Sequence, residues 1–201
     1  MRTMLLTTAA AALLSGCGDP AGPPGGTNPS GDAVVWVNTM SNTVDLYYPE
    51  SDSIVSSAYV TGSSPNDALV TEGGMLAVVC SLDDRVELFD LSESGPPQAA
   101  AQLPAGANPY TIAGRDGMLY VTMLLGSGIA EIDPADMTVR RYLDTAPYPS
   151  GIAASGGLLW VSHGYGTLDS TGMVSVVDPV SWAVTDTVQT AQNAFEASGV
   201  G

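Results

Sequence analysis

From Ala33 onward the apolar residues come in short bursts with period-2 alternation, broken by Gly, Asp, Asn and Pro. The clearest burst runs from Met118 to Pro134. Leu119-Tyr120-Val121 reads as a core strand, a loop holding Gly126 and Gly128 follows, and a second strand ends in Glu131-Ile132-Asp133-Pro134. The same sentence recurs three times: Val35-Trp36-Val37 before Val44-Asp45-Leu46-Tyr47, Leu76-Ala77-Val78 before Val86-Glu87-Leu88-Phe89-Asp90, and Leu159-Trp160-Val161 before Val174-Ser175-Val176-Val177-Asp178-Pro179. The middle residues of the triplets, Trp36, Ala77, Tyr120 and Trp160, fall roughly 40 to 43 residues apart, the blade period of a β-propeller.

Each unit also carries a Pro-led segment: Pro65-Asn66-Asp67-Ala68-Leu69-Val70, Pro109-Tyr110-Thr111-Ile112-Ala113 and Pro149-Ser150-Gly151-Ile152-Ala153. Gly73-Gly74, Asp116-Gly117 and Gly156-Gly157 then supply the positive φ angles that tight hairpins require. An outer strand closes the unit, as at Ile54 to Val60, Val139 to Leu143 and Ala183 to Val188. Four short antiparallel strands per unit make a blade. The expectation is an all-β propeller of four-stranded antiparallel blades, in approximate units 33–64, 65–107, 108–148 and 149–190, with a fifth starting at 191–201. About four blades are present and the ring is expected to be incomplete, because the repeat opens on the second strand of a blade and Asn193 to Ala197 reads as an inner strand. Trp36, Tyr120 and Trp160 are expected to pack blade against blade.

Ahead of the repeat stand two other segments. Residues 1–17 combine Arg2, an apolar run from Met4 to Leu14 too short for an ordinary transmembrane helix, and small residues, the layout of an export signal. Leu14-Ser15-Gly16-Cys17 resembles the lipobox of bacterial lipoproteins, which implies lipidation of Cys17 and anchoring to a membrane. Gly18 after the cysteine, with Asp only at position 19, does not resemble the inner-membrane retention signal of enterobacterial lipoproteins, and that resemblance implies the outer membrane. Residues 18–32 are rich in Gly and Pro and read as a tether.

The pattern of Tyr120-Val121-Thr122, Ile132-Asp133-Pro134, a Pro-Tyr-Thr-Ile-Ala segment and Asp116-Gly117 resembles the YVTN-type seven-bladed propellers, over residues 34 to 198. That resemblance implies an exported binding or surface protein, and it brings no catalytic motif to carry over. The copies depart from the pattern at Met123-Leu124-Leu125 and in the stretched loop Gly164 to Gly172.

Charge narrows the partners. The 201 residues hold five Arg, no Lys and 21 acids, a net charge of −16, which repels nucleic acid and anionic lipid headgroups. Of the two cysteines, Cys80 follows an apolar run and reads as a buried hydrophobe, so a lipidated Cys17 leaves no disulfide. A single histidine excludes a multi-histidine metal site, and neither a phosphate loop, a nucleophile elbow nor an EF-hand loop appears. Asp83-Asp84 reads as a solvated turn. No cofactor or metal is expected.

Propeller geometry gathers the loops entering the inner strands and those joining the second and third strands on one face. That face would present Asn66, Asp67, Asn108, Tyr110 and Tyr148 from the first set and Asn38, Asn42, Asp83, Asp84, His163, Tyr165 and Asp169 from the second. The primary expectation is a membrane-anchored, non-catalytic binding module with a protein or glycan partner in the envelope. The alternatives are a lactonase- or lyase-like or quinoprotein dehydrogenase-like enzyme working around His163, and a structural surface-layer component.

Overall fold

The computed structural model describes residues 26–164 and 171–192. Fifteen strands follow in chain order: β1 Val34–Asn38, β2 Thr43–Tyr48, β3 Ser53–Val60, β4 Pro65–Val70, β5 Met75–Cys80, β6 Arg85–Asp90, β7 Ala99–Gln102, β8 Pro109–Arg115, β9 Met118–Met123, β10 Gly128–Asp133, β11 Thr138–Asp144, β12 Pro149–Ser155, β13 Leu158–His163, β14 Thr171–Asp178 and β15 Ala183–Gln192. They form one three-stranded sheet, β1-β2-β3, and three four-stranded ones, β4 to β7, β8 to β11 and β12 to β15, each in simple sequential order. All the pairings are antiparallel. One turn of 3-10 helix at Ser81–Asp83 is the only helical segment among the described residues.

These are four propeller blades in an arc. Among the described residues the first has three strands and no inner one, and no strand pairing joins the first sheet to the last; Asn193 to Ala197, read as a further inner strand, lie outside the described residues. The Pro-led segments are the inner strands, with β4 beside β8 and β8 beside β12. Small residues let them approach: a Cβ on Gly114 would stand 2.9 Å from Leu69 Cδ2.

Stability resides between blades, as in other repeat proteins. Three apolar clusters fill the three junctions. Val44, Leu46, Tyr59, Leu76, Val78 and Phe89 pack blade 1 on blade 2; Ala77, Val79, Leu88, Leu119, Val121 and Ile132 pack blade 2 on blade 3; Tyr120, Ile129, Ile152, Leu159, Val161 and Val177 pack blade 3 on blade 4. Alternate residues of one strand therefore serve opposite junctions.

This parity corrects the sequence alignment of the triplets. Trp36 pairs with Asp45, whereas Ala77 pairs with Leu88 and Tyr120 with Glu131, so Trp36 shares its register with Val78 and Val121 (opposite Glu87 and Ala130). Trp36 consequently lies on the face of blade 1 turned away from blade 2, stacked on Tyr47 at 5.7 Å, and does not pack blade to blade among the described residues. Tyr120 does so, in the third junction.

The expected tether is partly docked. Thr27 bridges Glu93, Asn28 N donates to Ser92 O at 2.8 Å, and the Asn28 amide donates to Tyr59 Oη and Leu91 O at 3.0 Å each. Residues 18–25, the export signal and Cys17 lie outside the described residues.

Candidate functional site

Register places the start of each inner strand against the end of the strand that follows it: Pro65 opposite Cys80, Pro109 opposite Met123, Pro149 opposite His163. The two sets of loops therefore do share one end of the blades. Before each proline the chain turns through the left-handed region, at Ser64 (φ 57°), Asn108 (φ 49°) and Tyr148 (φ 57°). That region costs an ordinary residue roughly 1–2 kcal/mol, and a following proline disfavours helical geometry further. Ser and Asn tolerate such turns through their short polar side chains; a bulky tyrosine does so at a cost.

Side-chain oxygens hold these loops. Asn42 and Asp84 end corresponding four-residue loops, both at positive φ. Asn42 Oδ1 accepts from Ser64 N at 2.9 Å; Asp84 accepts from Asn108 N at 2.8 Å and Gly106 N at 2.7 Å. Asp83 accepts from Ser63 N at 2.9 Å and lies 3.5 Å from the Arg85 guanidinium. The two aspartates read as a solvated turn are thus loop anchors. Further in, the Asn66 amide donates to Ser81 Oγ, which donates to Pro109 O, and Asp67 accepts from Ile112 N at 3.0 Å. Thr111 Oγ1 donates to Ser150 O at 3.2 Å and ties β8 to β12. Of the expected loop-face residues, then, Asn66 and Asp67 bridge neighbouring inner strands, Asn38 and Asn108 are half-buried, Tyr110 is half-buried on β8, and Tyr148 is 43% exposed. Tyr165 and Asp169 lie outside the described residues.

His163 occupies the predicted loop-strand boundary but turns inward and is only 5% exposed. Its Nδ1 is 3.1 Å from Pro147 O and its Nε2 2.9 Å from Ser175 Oγ. A carbonyl can only accept, so Nδ1 carries the proton and Nε2 accepts from the serine hydroxyl. Burial holds its pKa below the ordinary imidazole value, outweighing the carbonyls of Pro147 and Ala146. A serine beside a histidine nitrogen has the connectivity of a nucleophile and its base. Here Ser175 is also buried, so the pair acts on its own loop: it fixes Pro147, while Gly164 N donates to Tyr148 O at 3.2 Å.

Two buried acids were not read from the sequence. Glu87 is 1% exposed; it accepts from Gly62 N at 2.9 Å and from Arg85 Nε at 2.8 Å, and Cys80 Sγ lies 3.5 Å away. Burial and then Glu87 push the Cys80 thiol up to about 12. Glu131 receives a bidentate clamp from Arg141 at 2.9 and 2.8 Å; Arg141 also donates to Pro179 O and lies 4.4 Å from the centre of the Trp182 ring. A carboxylate between apolar neighbours gives no local cue to its partner. Every arginine among the described residues is ion-paired to an acid. No group of three His, Cys, Asp or Glu suited to a metal ion occurs among the described residues. At the opposite end, a cleft of about 110 Å³ lies between Leu69, Thr71, Arg115 and Met118. No helix among the described residues is long and apolar enough to cross a membrane.

No family model matches the chain, and no curated protein matches it. Solved structures do. Kuenenia stuttgartiensis hydrazine synthase superposes with a TM-score of 0.71 at 17% identity, over 79% of this chain and 46% of that one. The virginiamycin B lyase of Staphylococcus aureus gives 0.60 at 16%, over 78% and 51%. The Swd1 β-propeller domain of Myceliophteria thermophila gives 0.60 at 14%, over 84% and 58%. The fold is that of a β-propeller. At these identities the likeness concerns the fold alone. The chain spans about half the length of the propeller structures it matches.

Proposed function

We propose that this chain is an exported propeller of the YVTN type, anchored by lipid on Cys17 to the outer membrane, whose loop face binds a protein or glycan of the envelope without catalysis. The carrying observation is the docking of Asn28. It holds the N-terminal segment at Ser92 to Ser94, beyond the end of β6 remote from the loop face. Eight residues separate Cys17 from Gly26, a reach of at most about 30 Å. An anchored domain on so short a lead would turn its loop face away from the lipid and toward partners.

A virginiamycin B lyase shares the fold, and a lyase reading of this chain would need a free acid or base on the loop face. His163, the natural candidate, is buried with both ring nitrogens engaged, which favours binding over catalysis.

Mass spectrometry of the full chain expressed in a bacterial host tests the anchor. The expected product is a membrane-associated chain that starts at a lipid-bearing Cys17 and becomes unlipidated on Cys17→Ala. A native product cut elsewhere and free of lipid overturns the anchoring. For the binding face, envelope glycans and proteins are passed over the immobilised chain and over Tyr148→Asn and Tyr142→Ala variants. Retention should fail only for the loop-face variant, and equal retention by all three removes the assignment.

A further inference from the structure

The two ends of the arc carry unmatched halves of a junction. On blade 1, Trp36 holds the register of Val78 and Val121, which the preceding blades seal in the first and second junctions. On the same face Tyr47 stacks on Trp36, and Ile54, opposite Tyr47, is 58% exposed. Among the described residues β1 pairs on one side only, with β2, whereas β5, β9 and β13 each lie between an inner strand and a third strand. An unpaired edge beside an apolar face is a template for a further strand.

The far side of blade 4 carries the other half. In β13, Leu159 and Val161 face blade 3, so Trp160 and Ser162 face away from it. Ser162 is fully buried, and its hydroxyl has no hydrogen-bond partner among the described residues. Within the arc each junction gives a hydroxyl to the next inner strand: Thr39 Oγ1 donates to Pro65 O at 2.7 Å, Ser81 Oγ to Pro109 O, and Thr111 Oγ1 to Ser150 O at 3.2 Å. Ser162 stands at the register of Thr122, which accepts from Thr111 N at 3.0 Å, and Gly151, in the place of Thr111, has no hydroxyl to offer. The Ser162 hydroxyl therefore lacks the carbonyl that a further inner strand would bring, and a buried hydroxyl left unmet is costly.

Shape indicates the partner. The arc superposes on propellers over about half their length, so its opening is about as wide as the arc itself. A second arc of the same kind fits that opening. A two-fold along the ring axis then sets each free blade 1 against a blade 4 and leaves no blade face bare. Two arcs of four blades stay within the usual size of a propeller ring.

We propose that two copies of this chain close one ring, blade 1 of each packing on blade 4 of the other, with Asn193 to Ala197 of the second copy as the inner strand beside β1. The two-fold keeps both N-terminal segments at one end of the ring, so two anchors of the kind proposed above would reach one membrane, and the two loop faces would surround one axis. The closure itself does not depend on the binding reading.

Sedimentation equilibrium of the full chain carrying Cys17→Ser, so that lipid does not gather copies, tests the closure. The mass should rise with concentration from one chain to two and stop there. Added salt should tighten the pairing, because each copy carries −16. Ile54→Glu sets a charge in the contact at a position exposed in the single chain, so it should fold as before and weaken pairing at least about ten-fold. A chain shortened after Gln192 should stay single, and Tyr142→Ala, on the outer strand of blade 3, should pair as the native chain does. A single-chain mass at every concentration overturns the proposal, whether or not the chain's own Asn193 to Ala197 lies on β1. Polymers beyond two copies overturn it too, since they mean a contact that does not close. So does a dimer indifferent to both Ile54→Glu and the shortening.

Discussion

Cys80 and His163 hold the same place in two blades: each ends the second strand, opposite the proline that opens the inner one. Each turns inward to a polar partner at the same register of the third strand, Glu87 at 3.5 Å and Ser175 at 2.9 Å. Each junction also pins the loop arriving from the preceding blade, Gly62 N on Glu87 in one and Pro147 O on the His163 ring in the other. One position in the repeat thus serves as the rivet between successive blades, with different chemistry in each.

For Cys80 the consequence is inertness. A thiol raised to about 12 by burial and by Glu87 holds almost no thiolate near neutral pH. In a Cys17→Ser chain, N-ethylmaleimide should leave the native protein unmodified and add once per chain in urea, as read by intact mass. Rapid native labelling would mean that the first junction opens readily.

His163 makes stability pH-dependent in a definite direction. Its folded pKa is lowered, so between that value and the unfolded value of about 6.5 the unfolded chain binds the extra proton and the folded one does not. The contribution is whole above about 6.5 and is lost as pH falls through that window. His163→Gln removes the titration. The native chain should lose more melting temperature than the variant between neutral and mildly acidic pH, and parallel curves would contradict the burial of the ring.

The fold was legible where its signals are local. Alternation, Pro-led strands and Gly pairs mark strands and turns within a few residues of one another, and the strands lie close to where these signals put them. Trp36 was misplaced by one register because both faces of a blade strand are apolar, so a triplet such as Val35-Trp36-Val37 does not say which residue faces which neighbour. The four-residue loops 39–42 and 81–84 carried the better clue, since they align Asn38 with Cys80. The shared end of the two loop sets was legible, and the orientation of their side chains was not. The inward turn of His163 depends on Pro147 and Ser175, and the burial of Glu131 on Arg141, none of them adjacent in sequence.

The Glu131 clamp sets the cost of cutting the third junction. Arg141→Ala leaves a buried carboxylate without its bidentate partner, and the half-exposed position of the guanidinium lets water compensate in part. A loss of about 1–3 kcal/mol follows. Glu131→Gln with Arg141→Ala should cost less than the two single changes added, as measured by urea unfolding. Strict additivity would show that the pair contributes nothing as a pair.

Two glycines make a backbone test. A Cβ on Gly128 would meet the backbone carbonyl of Leu143 in the paired strand, which cannot move without breaking the ladder. Gly128→Ala should destabilise by about 1–3 kcal/mol. Gly95 has open space around its Cβ direction and an ordinary φ, so Gly95→Ala should be neutral or slightly stabilising. Thermal melts of the two variants should separate clearly.

Blade 1 offers the sharpest contrast between its two faces. Tyr59 and Phe89 meet at 4.9 Å on the side toward blade 2 and are fully buried, and Phe89→Ala should cost about 3–5 kcal/mol. On the other side Trp36 stacks on Tyr47, with Ile54 beside them 58% exposed, while Val78 and Val121 at the same register as Trp36 are sealed inside junctions. Both rings are half-buried, so Trp36→Ser should cost about 1–2 kcal/mol, well below Phe89→Ala. In dilute solution its fluorescence, isolated in a Trp160→Phe, Trp182→Phe background, should be quenched readily by acrylamide. A cost matching that of Phe89→Ala, with protected fluorescence, would show that in solution a further surface lies on this face and seals it as blades 2 and 3 are sealed.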